Sequence, residues 1–466
     1  MAENGAPPYR GVLLPEEPTI DQVRAIAPDY TAMLVAIMTA LADRFERRSH
    51  YPFLDTKLDL ISGKDFPRGD PIRGPDTIYG WIQGRGLEAL AGHLLWLHRH
   101  PLAPELPPRL APMMGEVLVQ LRRMRARNGG HLSFFMTPEG DPFSLGQDGR
   151  PRSLKLTANA PYGYSDLFCA KGMYAAARVL GDIEAAAEAR AYCLAVDEAI
   201  QEGRFASDQQ ALDPKNPVLP VPGRHLHGPY MLQLGTAALL ASLEADPDCV
   251  EFGLRQIRRE FSHHINRNGR IPELHENDFW EAVDTAGHPF RDNGRILCDP
   301  GHALECVGLA LKFTRMVRET QLATPQEQKE IADIEAAMPA ILEHNFASGF
   351  QPGPGGICKS YDLLERRPIN TDMPWWNLPE TLRAALLCHR VADDPATRQS
   401  CLRVFAACHN AFTRHYVRPD LHLMAVQTRS ASGQVVPVIP ATTDADPGYH
   451  TGLSLIDVFE ILAQPR

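Results

Sequence analysis

The chain has 466 residues, with a hydrophobic content of 44% and a charged content of 22%, which suits a globular protein with a full core. Its formal net charge of -10 and its short cationic runs exclude nucleic acid as the main partner. Because no stretch approaches about 20 consecutive apolar residues and no signal-peptide pattern opens the chain, we expect no membrane partner and a cytoplasmic protein.

Helical periodicity predicts about twelve helices. In chain order they cover residues 21–47, 79–99, 109–127, 164–180, 183–202, 229–244, 247–266, 300–318, 325–346, 376–391, 394–416 and 452–463. Pro28 is the weak point of the first segment, because proline interrupts a helix interior.

Three segments between the predicted helices look different. Residues 132–143 combine a β-prone run with a turn, and residues 267–295 are rich in turns and aromatic side chains. Residues 421–439 alternate like a hairpin around Ser432 and Gly433. We therefore expect short β-hairpins inside the loops of an otherwise helical protein.

Long connections alternate with short ones, which favours a ring of six helical hairpins. We predict an all-α fold, an (α/α)6 barrel, formed by one domain over residues 1–466 with residues 1–20 as an irregular N-terminal arm. An open helical solenoid is the alternative, although it would show a clearer repeat period.

The nine cysteines show no CxxC pair, and several lie inside helical patterns. An odd number of scattered cysteines in a long chain predicts buried, reduced thiols rather than a disulfide framework. Neither His225 with His227 nor His263 with His264 has a third ligand at a recognisable spacing, so we expect no metal and no other cofactor.

The stretch RILCDPGHALECVGLALKF, residues 295–313, places a histidine and a glutamate at a helix start. Asp299 is a favoured N-cap and Pro300 suits the first helical position. His302 and Glu305 then share one face. The helix dipole should hold His302 neutral, as a general base requires; the alternative is a capped helix end whose polar residues face solvent.

Arg85 stands between Gly84 and Gly86 inside a helical pattern. Glycine costs about 1 kcal/mol relative to alanine there, so these glycines indicate a close approach by a ligand or by another backbone. Arg85 could hold an anionic oxygen of a substrate; the alternative is tight helix packing with a surface arginine.

The stretch TDMPWWNLPETLRAALL contains Trp375, Trp376 and Glu380. A tryptophan face stacks well on sugar C–H surfaces, and core filling is the alternative. Asn377 followed three residues later by Glu380 resembles a capping box. His450 precedes the last helix and is either a site residue or a polar loop residue.

Five motifs in this order are similar to the N-acylglucosamine 2-epimerase family: WIQGR (81–85), PYGYSDLFCAKGMYAAARVLGD (161–182), GRILCDPGHALE (294–305), WWNLPE (375–380) and GYH (448–450). The resemblance runs from about residue 50 to the end of the chain. It implies an (α/α)6 barrel that acts as a sugar epimerase or aldose–ketose isomerase on a small-molecule sugar.

The same resemblance implies roles for particular residues. His302 and His450 resemble the family's acid–base histidines, and Arg85 resembles its substrate-anchoring arginine. One histidine would remove the C2 proton of an open-chain aldose to give an enediol or enediolate. The other would return a proton, giving the C2 epimer or a ketose without a redox cofactor or metal.

Further binding residues are implied in the same way. Glu305 and Glu380 resemble the family's site glutamates, and Trp375 and Trp376 resemble its sugar-stacking pair. Glu273, in RIPELHEND, falls where the family often has a glutamate.

Two other functions stay open. The first is a glycoside hydrolase acting on unsaturated uronic sugars, for which Asp299, Asp444, Asp446 and Glu273 are the candidate carboxylates. The second is a catalytically degenerate sugar-binding scaffold. A homodimer is also left open.

Overall fold

The computed structural model describes residues 6–48, 50–146, 148–210, 221–438, 442 and 445–464. Their helices are α1 Ile20–Arg24, α2 Ala27–Arg47, α3 Gly80–Arg99, α4 Pro107–Arg127, α5 Tyr164–Leu180, α6 Ile183–Gln201, α7 Gly228–Leu243, α8 Asp248–His263, α9 Pro300–Thr320, α10 Pro325–Gly349, α11 Asn377–Val391, α12 Pro395–His415 and α13 Ser454–Ala463. A 3-10 turn covers Pro419–Leu421 and a π-helical turn covers Tyr449–Leu453.

Short strands occupy the loops between the helices. They are β1 Leu58–Asp59, β2 Lys64–Asp65, β3 Ile78–Tyr79, β4 Phe135–Met136, β5 Pro142–Leu145, β6 Pro151–Ser153, β7 His225–Leu226, β8 Ala282–Val283, β9 Arg291–Asp292, β10 Arg295–Cys298, β11 Phe350–Gln351, β12 Gly356–Ile357, β13 Ser360–Asp362, β14 Arg367–Asn370, β15 Met373–Pro374, β16 Val417–Arg418, β17 Met424–Ala425 and β18 Thr428–Arg429.

Six inner helices form a ring. Helices α3, α5, α7, α9, α11 and α13 contact one another in that order, and α13 returns to contact α3. Each of α4, α6, α8, α10 and α12 packs on the inner helix before it, while α2 packs on α13 and supplies the sixth outer helix. The predicted (α/α)6 barrel is confirmed, and the contact between α13 and α3 argues against an open solenoid. The single-domain organisation stays a prediction.

Short and long connections alternate around the ring. Residues 181–182 join α5 to α6, and residues 244–247 join α7 to α8. By contrast, residues 128–163 lead from α4 to α5, and residues 264–299 lead from α8 to α9. Because every long connection enters an inner helix, the long loops and the inner-helix N-termini share one end of the barrel.

The strands lie in these long loops, as the sequence predicts, and they pair both within one loop and between neighbouring loops. Strands β3, β4, β5 and β6 form one antiparallel sheet, in which Phe135 pairs with Phe143. The turn predicted around Ser432 and Gly433 is present, because the Gly433 N–H donates to the carbonyl of Ser430 and Arg429 pairs with Val435.

The N-terminal segment packs against the barrel. Residues 6–19 hold no helix or strand, and the side chain of Asp29 accepts hydrogen bonds from the N–H groups of Arg10 and Val12. The helix breaks before Pro28, which lies in the first turn of α2. Ile20–Arg47 is long and apolar enough to cross a bilayer by composition alone, but 67% of its apolar window is buried inside the protein.

All nine cysteines are free and buried, as predicted.

Two glycines bring the backbones of α3 and α5 together. A Cβ added at Gly84 would lie 2.5 Å from backbone atoms of Phe168 and Cys169, and a Cβ at Gly172 would lie 2.0 Å from the Gly84 oxygen. A Cβ added at Gly86 would lie 1.9 Å from Cδ1 of Leu54, so this glycine also permits a close contact. The glycines beside Arg85 therefore serve close packing.

We expect Gly84→Ala to destabilise the protein by about 3 kcal/mol or more, because backbone atoms cannot move aside as a side chain can. Gly115→Ala on α4 is the matched control, since its new Cβ would meet only Leu180 at 3.9 Å, and it should stabilise by up to about 1 kcal/mol. Thermal unfolding followed by circular dichroism measures both. Equal stability of the two variants would contradict this packing.

Candidate active site

The start of α9 fixes the position of His302. Asp299 caps the helix by accepting hydrogen bonds from the N–H groups of Gly301 and His302 at 3.1 and 3.4 Å, and Pro300 opens the helix. The ring of His302 lies 3.0 Å, through Nδ1, from Oε1 of Glu281. Because a carboxylate can only accept, Nδ1–H donates and Nε2 stays available.

The electrostatics of His302 differ from the expectation. Burial lowers the pKa of His302, but the carboxylates of Asp299 and Glu281 raise it more, so the pKa lies above the ordinary value. The carboxylates of Asp299 and Glu281, at 3.4 and 3.0 Å from Nδ1, thus act against the helix dipole and favour the protonated ring.

His450 lies in the π-helical turn Tyr449–Leu453 that precedes α13. Gly448, with φ of +84°, opens this turn, and Asp446 accepts from the N–H of Tyr449 at 2.9 Å. The Nδ1 of His450 lies 2.9 Å from Oε1 of Glu380 on α11. His450 is therefore oriented as His302 is, with a glutamate at Nδ1.

The two tryptophans lie beside the histidines. The ring centroid of Trp376 is 5.3 Å from that of His302 and 5.5 Å from that of His450. Trp375 meets His450 edge-on at 6.1 Å. Both tryptophans therefore contact His450.

Two buried glutamates, Glu305 and Glu380, also belong to this cluster. Burial and the neighbouring charge of Glu380 raise the pKa of Glu305. Burial also opposes ionisation of Glu380, but Arg383 and His450 outweigh it and lower the pKa of Glu380. Arg383 hydrogen-bonds Glu380 and lies 3.5 Å from Asp457. Glu305 is thus the carboxyl that protonates more readily.

Arg85 is a half-buried cation held by aromatic faces. Its guanidinium carbon lies 4.2 Å from the ring centroid of Phe168, 5.4 Å from that of Trp81 and 5.5 Å from that of Tyr449. Among the described residues it has no ion-pair partner, and desolvation lowers the pKa of Arg85. An unpaired cation of this kind is suited to an anionic or hydroxyl oxygen of a ligand.

Two predicted features lie elsewhere or act differently. Glu273 is exposed and pairs with Arg291, and its contacts in the described chain do not include either histidine. The capping box expected at Asn377 is wrong, since α11 has no side-chain cap and Glu380 instead binds His450 and Arg383.

Sequence reasoning missed three residues of the site. Glu281 lies in the irregular stretch before α9, where no periodicity marks it. Lys359, in a glycine-rich loop, pairs with Asp299 and lies 5.4 Å above the ring of Trp376. Arg383 follows Glu380 by one helical turn, and that spacing could have indicated it.

A cavity of about 480 Å³ continues along the barrel axis below the cluster. All six inner helices line it, from Glu305 in the second turn of α9 to Thr320 at its end. Gly92 and Gly235 are among its lining residues, and a Cβ at either would lie 2.5 Å from Leu453 or 2.7 Å from Lys171. Glu305 and Glu380 therefore face a space that leads away from the loop end of the barrel.

Two groups of three described residues bring donor atoms within 4.8 Å of one another: His227, Glu281 and His302, and Glu305, Glu380 and His450. In each group a histidine Nδ1 already meets a glutamate oxygen. Burial lowers the pKa of His227, but Glu260 and Glu281 raise it to about 10, and a protonated imidazole does not ligate a metal. The first group is therefore suited to hydrogen bonding between its histidines and Glu281 rather than to a metal ion.

The fold and these paired histidines define a class, an (α/α)6 barrel with two histidine–glutamate pairs at its loop end. Residues 157–442 match the sequence model of the family described as N-acylglucosamine 2-epimerase (GlcNAc 2-epimerase). Since the match covers more than half of the chain, the protein belongs to the N-acylglucosamine 2-epimerase family. Arg85 and His450 lie outside the matched residues.

Solved structures share the fold at low identity. A sugar epimerase from a ruminal bacterium is 13% identical with a TM-score of 0.60, over 92% of this chain and 97% of that one. Cellobiose 2-epimerase from Bacillus thermoamylovorans B4167 is 11% identical with a TM-score of 0.62, over 94% and 99%. A D-mannose isomerase is 11% identical with a TM-score of 0.56, over 91% and 97%. A comparison with curated protein sequences finds no match.

We expect Arg85→Met to leave the melting temperature unchanged or higher, because it removes a partly desolvated charge that has no ion-pair partner in the described chain. Arg44→Met is the comparison. Arg44 is buried, and it lies 3.0 Å from Asp55 and 2.7 Å from Asp65, so its loss should cost about 3 kcal/mol. Thermal unfolding of both variants decides, and greater destabilisation by Arg85→Met would contradict the assignment.

Proposed function

We propose that the protein is a carbohydrate epimerase or isomerase that moves the C2 proton of an open-chain sugar between His302 and His450. One observation carries the proposal: each histidine has a glutamate at Nδ1, at 3.0 and 2.9 Å, and both rings lie against Trp376. Such pairing fixes the tautomer and directs both Nε2 atoms to the reacting carbon.

In the proposed reaction a neutral imidazole Nε2 takes the proton from C2. The C–H electron pair forms the C1=C2 double bond, and the carbonyl oxygen becomes an enediolate oxygen. Arg85 binds this oxygen in its charged state. The second histidine, protonated, delivers its proton to C2 on the opposite face, and the carbonyl forms again to give the C2 epimer.

The same enediolate leads to a ketose when a protonated histidine delivers its proton to C1 and the O2 proton is transferred to O1, so that the carbonyl forms at C2. Glu305 is suited to hold that proton, because burial and Glu380 raise the pKa of its carboxyl. Trp375 and Trp376 would stack on the sugar ring or chain. The chemistry requires only these acid–base and binding groups.

The hydrolase alternative receives no support from its candidate carboxylates. Asp299 caps α9 and pairs with Lys359, Asp446 accepts backbone hydrogen bonds, and Glu273 pairs with Arg291 at the surface. Asp444 lies outside the described residues. A binding scaffold would need neither histidine–glutamate pair.

A cytoplasmic location remains part of the proposal. It rests on the nine buried, free thiols, which suit a reducing compartment.

We expect His302→Asn and His450→Asn each to abolish epimerisation, with at least about a 1,000-fold loss of kcat. Each variant should still exchange the C2 proton of one epimer with solvent, because the remaining histidine can remove and return a proton on one face of the sugar. The substrates are a panel of aldoses and N-acyl-hexosamines. Proton NMR in D2O measures the loss of the C2 proton signal and the appearance of the epimer.

His288→Asn is the control, since this side chain is 72% exposed, and it should turn over normally. Near-normal epimerisation by either active-site variant would overturn the proposal.

A further inference from the structure

Behind the pair of His302 and Glu281 lies a third histidine that the proposed reaction does not use. His227 is fully buried at the residue before α7. Its Nε2 is 3.3 Å from Oε2 of Glu281, and its Nδ1 is 3.5 Å from Oε2 of Glu260. The Glu281 carboxylate therefore lies between two histidines, one in the site and one behind it.

Backbone pairing fixes this arrangement. Strands β7 and β8 are antiparallel and pair Leu226 with Ala282, so the next residues, His227 and Glu281, meet across the ladder. The N–H of His227 donates to the carbonyl of Glu281 at 3.2 Å. The two side chains thus approach each other because of strand register.

Glu260, on α8, has His227 as its ion-pair partner within the described structure. Beside it lies an apolar cavity of about 10 Å³, with space for about one water, so bulk solvent does not stabilise this carboxylate. A buried carboxylate without a cation is costly, and a protonated His227 compensates both Glu260 and Glu281.

Other titratable and charged groups surround this pair: His264 at the end of α8, His302, Arg259, Tyr164 and Cys306. Burial, followed by the charge of His227, holds the pKa of His264 well below its usual range. His264 is therefore a neutral, equally buried neighbour of His227.

We propose that His227, buried between the carboxylates of Glu260 and Glu281, is a positioning residue that acts through Glu281 on His302. The proposal rests on the proposed function for its catalytic meaning. His227 hydrogen-bonds neither substrate nor the reacting atoms. It keeps Glu281 ionised and fixed, and its positive charge limits how tightly His302 holds its proton.

The positive charge of His227 sets the direction in which its removal changes the titration midpoint of His302. The ring centroids of His227 and His302 are 5.7 Å apart. Removing a positive charge at that distance favours protonated His302, and Coulomb's law with an effective dielectric constant of about 20 gives a rise of about 1 to 2 pH units in its titration midpoint. Removing the negative charge of Glu260 should lower the His302 midpoint instead, and by less, because Glu260 lies farther from His302.

The test is an NMR titration of the substrate-free protein labelled with 13C at histidine Cε1, the His302 signal being assigned by its loss in His302→Asn. We expect the His302 midpoint to rise by about 1 to 2 pH units in His227→Gln and to fall by less than about 1 in Glu260→Gln. The glutamine amide that His227→Gln introduces still offers a hydrogen-bond donor to Glu281, so the change isolates the charge.

His264→Gln is the matched control, since it removes a neutral imidazole of equal burial 5.5 Å from His227, and it should leave the His302 midpoint in place. An unchanged midpoint in folded His227→Gln, or an equal shift in His264→Gln, would overturn the proposal. Should His227→Gln not fold, the double variant His227→Gln/Glu260→Gln removes both charges, and its midpoint must lie above that of Glu260→Gln.

The titration needs no turnover, so its outcome is independent of the proposed function. In an active protein, the limb of the kcat/KM profile that reports His302 should move with the His302 midpoint: the acid limb in the direction in which His302 is the base and the alkaline limb in the direction in which it is the acid. A purely structural role of His227 would not cause this shift.

Discussion

The site depends on the pairing of buried charge. A carboxylate inside this barrel needs a cation within a few ångströms, and the partners lie on different segments of the chain. Glu281 lies between His302 and His227, and Glu380 lies between His450 and Arg383. These pairings orient both histidines, so the same interactions that permit burial also prepare the acid–base groups.

Arg85 is the exception to this pairing of charges. A charge held among aromatic rings without an ion-pair partner in the described chain lowers stability, and proteins retain such charges where a ligand completes them. The axial cavity of about 480 Å³ below Glu305 is a second departure from an optimal core. Both departures adjoin the same cluster.

The helices, the barrel and the residues of local motifs could be predicted from sequence, because periodicity and capping are local. Asp299 and Pro300 mark the start of α9, and His302 follows from them. Glu281 could not be predicted, because its position results from pairing between two-residue strands that carry no periodic signal. The capping box at Asn377 failed because Gly301 brings α9 against that side chain, which binds the carbonyl of Ile357 instead.

The central claim is that two histidines transfer the C2 proton on opposite faces of the sugar. Early-time conversion in D2O, with mass spectrometry and NMR of both sugars, tests it most directly. We expect deuterium at C2 of the epimerised product while the remaining substrate keeps its proton, because the product receives its C2 atom from a different, solvent-equilibrated histidine. Epimerised product without deuterium at C2 would contradict the account.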